Sequence, residues 1–245
     1  MSISCSDCSV INCFFKHCND ETKIQVEQSK KITTYKKGQF IFNEGGPVDG
    51  IFIINSGKVK VFNTGYNSRV QVIRLAKAGH ILGHRGIGDK TYSISAIALE
   101  DSALGFIDNT AFNAILKNNS ELSFKLMLFY ADELRMAEAR MKSLAQMTVK
   151  EKVVESIFLL KKAFGVHIGK EIVLDIPFGR KDLGELTGLR AEQVTRVLSE
   201  LKEEGFISSG VKNLTILKPR ELFEFINQYY VSEMFNENKL PVLQE

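Results

Sequence analysis

All four cysteines of this 245-residue chain lie within fourteen positions, spaced Cys5-x2-Cys8-x4-Cys13-x4-Cys18. Thiols this close, in a chain with no secretory start, read as metal ligands before they read as disulfide partners. Thiolates are soft donors that suit an iron–sulfur cluster or tetrahedral zinc. Thiols that hold no metal and oxidise to disulfides are the remaining reading. His17 offers a further donor beside Cys18, although a lone histidine in a polar segment is ordinarily solvated. A second group lies far along the chain. Glu192, Gln193, Thr195 and Arg196 bring together a carboxylate, an amide, a hydroxyl and a guanidinium, the groups that hydrogen-bond base edges. Around them Arg180, Lys181, Arg190, Ser208, Ser209 and Lys212 are donors of the kind that hold phosphate, fixing register without reading sequence.

The elements that must position this second group are legible. In residues 180–207, Leu183, Leu186, Leu189, Val194, Val197, Leu198 and Leu201 supply an apolar face at helical spacing, interrupted by a tight turn at Gly188. Two short helices so joined form a helix-turn-helix, with the polar quartet exposed on the second. Gly205 to Gly210 and Asn213 to Leu217 then give two short β-prone runs bridged by turn residues, a wing.

Upstream, residues 120–146 read as one long helix. Met127, Tyr130, Leu134, Ala137, Met141 and Leu144 recur at spacings of three and four, a seam that favours a parallel dimer over a helix packed on its own barrel. Asp132, Glu133, Arg135, Glu138, Arg140 and Lys142 suit its solvated flank. Between Lys31 and Asp108 the chain is a series of short β-prone runs (39–42, 50–54, 58–62, 70–75, 93–99 and 103–107) punctuated by glycine turns. That spacing predicts an antiparallel barrel or sandwich. Residues 221–235 read as a last amphipathic helix with a packing role.

Composition narrows the classes. A hydrophobic content of 44% supports a packed core, and the net charge of +3 is neutral on the question of nucleic acid, so the DNA reading rests on pattern. No apolar run is long enough to span a membrane. The first twenty residues lack a basic start and a continuous apolar segment, so the expectation is a soluble cytoplasmic protein. No Ser-His-Asp, phosphate-loop, paired-carboxylate or His-Glu-x-x-His pattern occurs, which argues against an enzyme.

The order of barrel, long helix and winged helix resembles the Crp/Fnr superfamily of bacterial transcription regulators over roughly residues 23–220. The run from Gly50 to Val61 and the stretch Gly79-His80-Ile81-Leu82-Gly83 carry the resemblance in the barrel. Glu192, Thr195 and Arg196 carry it in the helix-turn-helix, with Ala191 where the cyclic-AMP type has Arg, which is similar to the Fnr branch. The implied fold is α+β: a jelly-roll β-barrel like a cyclic-nucleotide-binding domain, a dimerisation helix and a winged helix-turn-helix. The implied domains are a cysteine module at 1–22, the barrel at 23–118, the helix at 119–147, the DNA-binding domain at 148–220 and a tail at 221–245.

The resemblance also implies a homodimer on a palindromic operator, with RNA polymerase as a further partner. For Cys5, Cys8, Cys13 and Cys18 it implies a [4Fe–4S] cluster sensing oxygen, nitric oxide or redox state. The family's usual fourth cysteine, inside the barrel, has no counterpart here, so Cys18 would serve. In the family's nucleotide pocket the matching stretch holds Gly83, His84, Arg85, Tyr92 and Ser93. His84 stands for the ribose-binding Glu and Tyr92 for the phosphate-binding Arg, which argues against cyclic AMP. Haem, with His80, His84 or Cys18 as axial ligands, has no joining motif. Two rivals stay open: a regulator with a small ligand or nucleotide in its barrel, and a protein-binding module with a vestigial winged helix.

Overall fold

The structure is a computed structural model. It describes residue 10 and residues 13–16, 18–169, 171–176, 179–209 and 214–230. The chain divides into two compact units, 1–131 and 132–245.

In the first unit, helix α1 (Asp20–Ser29) is capped by the Asn19 side chain, which accepts from the Thr22 amide at 2.9 Å. Eight strands follow: β1 (Lys31–Tyr35), β2 (Phe40–Phe42), β3 (Gly50–Ser56), β4 (Lys58–Thr64), β5 (Val70–Lys77), β6 (Ile81–Leu82), β7 (Ser95–Ala98) and β8 (Ser102–Asp108). They form two four-stranded antiparallel sheets, ordered β1-β8-β3-β6 and β2-β7-β4-β5. The fold is thus the expected jelly roll, but its two sheets do not close into a barrel.

Strand β3 explains the unbroken apolar run at 50–54. Successive side chains of a strand point to opposite faces. Phe52 and Ile54 enter one apolar cluster with Val59, Val61 and Ala96 of the second sheet. Ile51 and Ile53 enter another, with Phe112 and Ile115 of helix α2 (Asn109–Asn118) and Leu122 and Leu126 of helix α3 (Ser120–Gln146). Both faces are buried, so alternation disappears.

The second unit holds the C-terminal part of α3, then α4 (Val149–Phe164), β9 (Gly165–Ile168), β10 (Glu171–Leu174), α5 (Arg180–Thr187), α6 (Ala191–Glu203), β11 (Ile207–Ser209), β12 (Leu214–Ile216) and α7 (Pro219–Glu224). A capping box starts α4: the Thr148 hydroxyl accepts from the Glu151 amide and the Glu151 carboxylate accepts from the Thr148 amide. One sheet, ordered β11-β12-β10-β9, flanks the helices. The last helix is shorter than the sequence pattern suggests: α7 ends at Glu224 and gives way to a 3-10 turn over Asn227–Tyr229. Residues 231–235 lie outside the described residues.

Candidate nucleic-acid interface and sensor residues

The helix-turn-helix is built by local rules. Asp182 reaches back to accept from the Gly179 amide at 3.0 Å and starts α5. Gly188 ends it in the left-handed region at φ 70°, where a side chain would be strained. Gln193 then repeats the Asp182 device, accepting from the Arg190 amide at 3.1 Å to start α6. Gly184 lets the turn close: a Cβ there would lie 2.8 Å from the Leu189 carbonyl oxygen. Leu183, Leu186, Val194, Val197 and Leu201 are buried, as their spacing predicts, while Leu189 and Leu198 of the same face are half-buried.

The polar residues of this unit lie as follows. Glu192 and Arg196 are exposed, and Arg196 pairs with Glu200 at 3.7 Å, one turn along α6. Thr195 is half-buried and donates to the Ala191 carbonyl at 2.8 Å, leaving its oxygen as an acceptor. Gln193 has its amide oxygen engaged in the cap, leaving its NH2 group to donate. Arg180, Lys181 and Arg190 are exposed at the starts of the two helices, and Ser208 lies in β11. Lys212 lies outside the described residues.

Of the residues the sequence suggests as metal ligands, Cys5, Cys8 and His17 lie outside the described residues. Cys13 and Cys18 bracket a turn in which the Lys16 amide donates to Cys13 and the Cys18 amide to Phe15. Cys18 is buried in the same apolar cluster as Phe15, Leu122 and Leu126, with Cys13, Phe129 and Tyr130 packed against it. Burial pushes the Cys18 thiol up to about 11; the Lys125 ammonium opposes this, while Glu121 and Cys13 add to it. Among the described residues, no three metal-binding side chains gather in one place. As soft donors the two described thiols suit a soft metal, although the apolar burial of Cys18 favours its protonated form.

The five barrel residues differ in their settings. Gly83 turns the chain at φ 80° and His84 is buried, its ring edge-on to Phe129 with centroids 5.0 Å apart. The Tyr130 hydroxyl donates to the His84 carbonyl at 2.5 Å. Arg85 is half-buried and Ser93 exposed. Tyr92 is buried, donates to the Gly50 carbonyl at 2.9 Å and stacks on Phe42 at 4.2 Å. Burial pushes its phenol up to about 12. Of the five, only Tyr92 lines the cavity of about 490 Å³ found in this unit; Tyr35, Phe42, Phe52 and Phe106 form its aromatic wall, with Lys31 and Asp49 also lining it.

On α3, Met127, Leu134 and Met141 are 56%, 61% and 66% exposed and recur every seven residues. Ala137 is exposed, whereas Tyr130 and Leu144 are half-buried. Phe124 and Met136, absent from the sequence-derived seam, are exposed as well. Arg140 corrects the solvated-flank expectation. Its guanidinium is mostly buried, paired with Glu155 of α4 and donating to the Leu186 carbonyl of α5.

A two-sheet jelly roll followed by a long helix and a winged helix defines a DNA-binding transcription regulator, not an enzyme. Comparison with known proteins agrees. Residues 32–119 match the cyclic nucleotide-binding domain and residues 152–225 the Crp-like helix-turn-helix domain. The chain belongs to the Crp/Fnr superfamily. It is 26% identical over 193 residues to the transcriptional activator protein anr of Pseudomonas aeruginosa, covering 79% of each chain. It is 23% identical over 228 residues to the fumarate and nitrate reduction regulatory protein of Vibrio cholerae, covering 91% of this chain and 90% of that one. Its fold matches FixK2 from Bradyrhizobium japonicum with a TM-score of 0.72 at 22% identity, over 80% of this chain and 96% of that one. Among the described residues, no helix is long and apolar enough to cross a membrane.

Proposed function

We propose that this chain is a homodimeric regulator that binds a palindromic operator in the cytoplasm and takes its signal, oxygen, nitric oxide or redox state, at the four N-terminal cysteines. The domain limits are those of the sequence: cysteines at 1–22, jelly roll at 23–118, dimer helix at 119–147, winged helix at 148–220 and tail at 221–245. Glu192 and Arg196 discriminate bases, supported by the Thr195 oxygen and the Gln193 amide. Arg180, Lys181, Arg190, Ser208 and Lys212 hold phosphate. The exposed stripe of Met127, Leu134 and Met141 is the dimer seam, and RNA polymerase is the partner on the promoter.

One observation carries the sensing reading. Cys13 and Cys18 share an apolar cluster with Leu122, Leu126, Phe129 and Tyr130 of α3. A change in what the thiols hold is therefore a change in packing under the dimer helix, and packed cores shift between discrete arrangements. Cys5, Cys8, Cys13 and Cys18 would hold a [4Fe–4S] cluster, which supplies chemistry labile to oxygen and nitric oxide. The relative named for fumarate and nitrate reduction supports a signal linked to redox state. The cavity beside Tyr92 favours a second reading, a small ligand within the jelly roll.

The test is the absorption spectrum and metal content of protein purified without oxygen. A broad band in the visible blue, with iron and acid-labile sulfide that air removes, is the expected result. Colourless, iron-free protein would sink the cluster and leave zinc, thiol oxidation or the cavity.

A further inference from the structure

We propose that Arg140, Glu155 and Tyr230 form a buried tether that fixes the helix-turn-helix on α3, which makes them positioning residues for DNA recognition. The inference rests on the DNA-binding reading above.

The tether begins where α5 ends. The last carbonyls of a helix have no partner within it, and a cation near them is favoured by the helix dipole. The Leu186 carbonyl is one of these, and the Arg140 guanidinium donates to it. Two residues further on, Gly188 makes the turn from which α6 departs. The same guanidinium pairs with Glu155, whose side chain is 3% exposed. The other carboxylate oxygen of Glu155 accepts from the Tyr230 hydroxyl at 2.5 Å. One buried carboxylate thus joins α3, α4, the end of α5 and the segment after the wing. That segment is fastened a second time: the Gln228 amide and the Tyr229 hydroxyl donate to Glu151 at 3.0 and 3.2 Å, one turn before Glu155.

Stability alone does not account for this arrangement. Desolvating two charges roughly cancels their attraction, and apolar pairs of similar volume serve as well or better. Geometry does account for it. A planar guanidinium held by a carboxylate and a carbonyl has one orientation, whereas leucines packed side by side tolerate sliding. The tether therefore sets the angle at which α5 and α6 leave α3, and with it the separation of two recognition helices in a dimer.

The test uses the full-length protein and a duplex selected by the wild type from a random pool. Affinity is then measured on that duplex and on versions with the half-site spacing changed by one base pair. Wild type should lose roughly tenfold or more on altered spacing. Y230F, and R140L/E155L in which both charges go together, should keep the wild-type base preference and lose most of that spacing penalty. Y230F removes a single hydroxyl, so it reports even if the double variant folds poorly. Variants as sensitive to spacing as wild type would overturn the tether, as would a wild type indifferent to spacing. A wild type that selects no duplex would overturn the DNA-binding reading itself, and the tether with it.

Discussion

The Tyr130 hydroxyl of α3 donates to the backbone carbonyl of His84, ties the long helix to the jelly roll, and sits in the cluster that holds Cys18. Phe129, one residue before, carries the Arg74 guanidinium over its ring at 5.3 Å and meets the Phe14 ring edge-on. The helix therefore feels both the cysteine segment and the loop that takes the place of a nucleotide pocket. Y130F keeps the ring and removes the bond. It should cost about 1 kcal/mol in denaturant unfolding. It should also narrow the difference in operator affinity between anaerobic and air-exposed protein. An unchanged difference would place the signal's path elsewhere.

The seam on α3 predicts an assembly. Met127, Leu134 and Met141 are each more than half exposed on a single chain, an unusual apolar stripe for a monomer. Leu134 is the middle residue of the three. L134E would bury a carboxylate against its own copy, and the dimer constant should weaken at least about a hundredfold. Sedimentation equilibrium across micromolar concentrations reads this directly. A dimer undisturbed by L134E would move the seam to another face.

Gly184 is fixed by a close approach, with the Leu189 carbonyl oxygen 2.8 Å from where its Cβ would sit. G184A forces the turn off α5 and should destabilise the second unit by about 1–3 kcal/mol. Gly179 is the matched comparison, since a Cβ there meets only the far end of the Asp182 side chain at 3.5 Å. G179A should therefore melt like wild type. Equal melting of the two variants would mean that the turn relaxes freely.

Arg196 and Lys181 separate reading from holding. R196A should cost about 1–3 kcal/mol of discrimination at one base pair of each half-site. K181A should weaken all duplexes alike and lower the slope of log affinity against log salt by about one. Binding titrations on operator variants at several salt concentrations distinguish the two. If R196A leaves base preference intact, the guanidinium is a phosphate contact, or its pairing with Glu200 persists on DNA.

Repeating local patterns made much of this legible in the sequence. The heptad spacing of α3 placed it over residues 120–146, where it lies, and Gly188 with its flanking leucines placed the helix-turn-helix. The closure of the sheets was not legible, because pairing between strands distant in sequence leaves no local mark. Arg140 was assigned to the solvated flank by its charge, yet it turns inward because Glu155, fifteen residues on, supplies a buried carboxylate. No periodicity could pair those two positions. His84 and Tyr92 matched pocket positions by alignment, but their burial depends on Tyr130 and Phe42, which come from other elements.

Tyr92 gives the jelly roll an alkaline limit. Burial, with Asp49 adding to it, raises its phenol from 10.0 to about 12. A raised folded value means that the folded state holds its proton longer than the unfolded chain does. The contribution to stability is then fully present below pH 10 and is lost as the pH climbs from 10 to about 12. Y92F should cost about 1 kcal/mol at neutral pH, through the lost bond to Gly50. Its denaturant midpoint should then fall less steeply than that of wild type across the same alkaline window. The difference between the two curves isolates Tyr92 from the lysines and other tyrosines that titrate there. Parallel curves would mean that this phenol ionises in place, with water reaching it through the adjoining cavity.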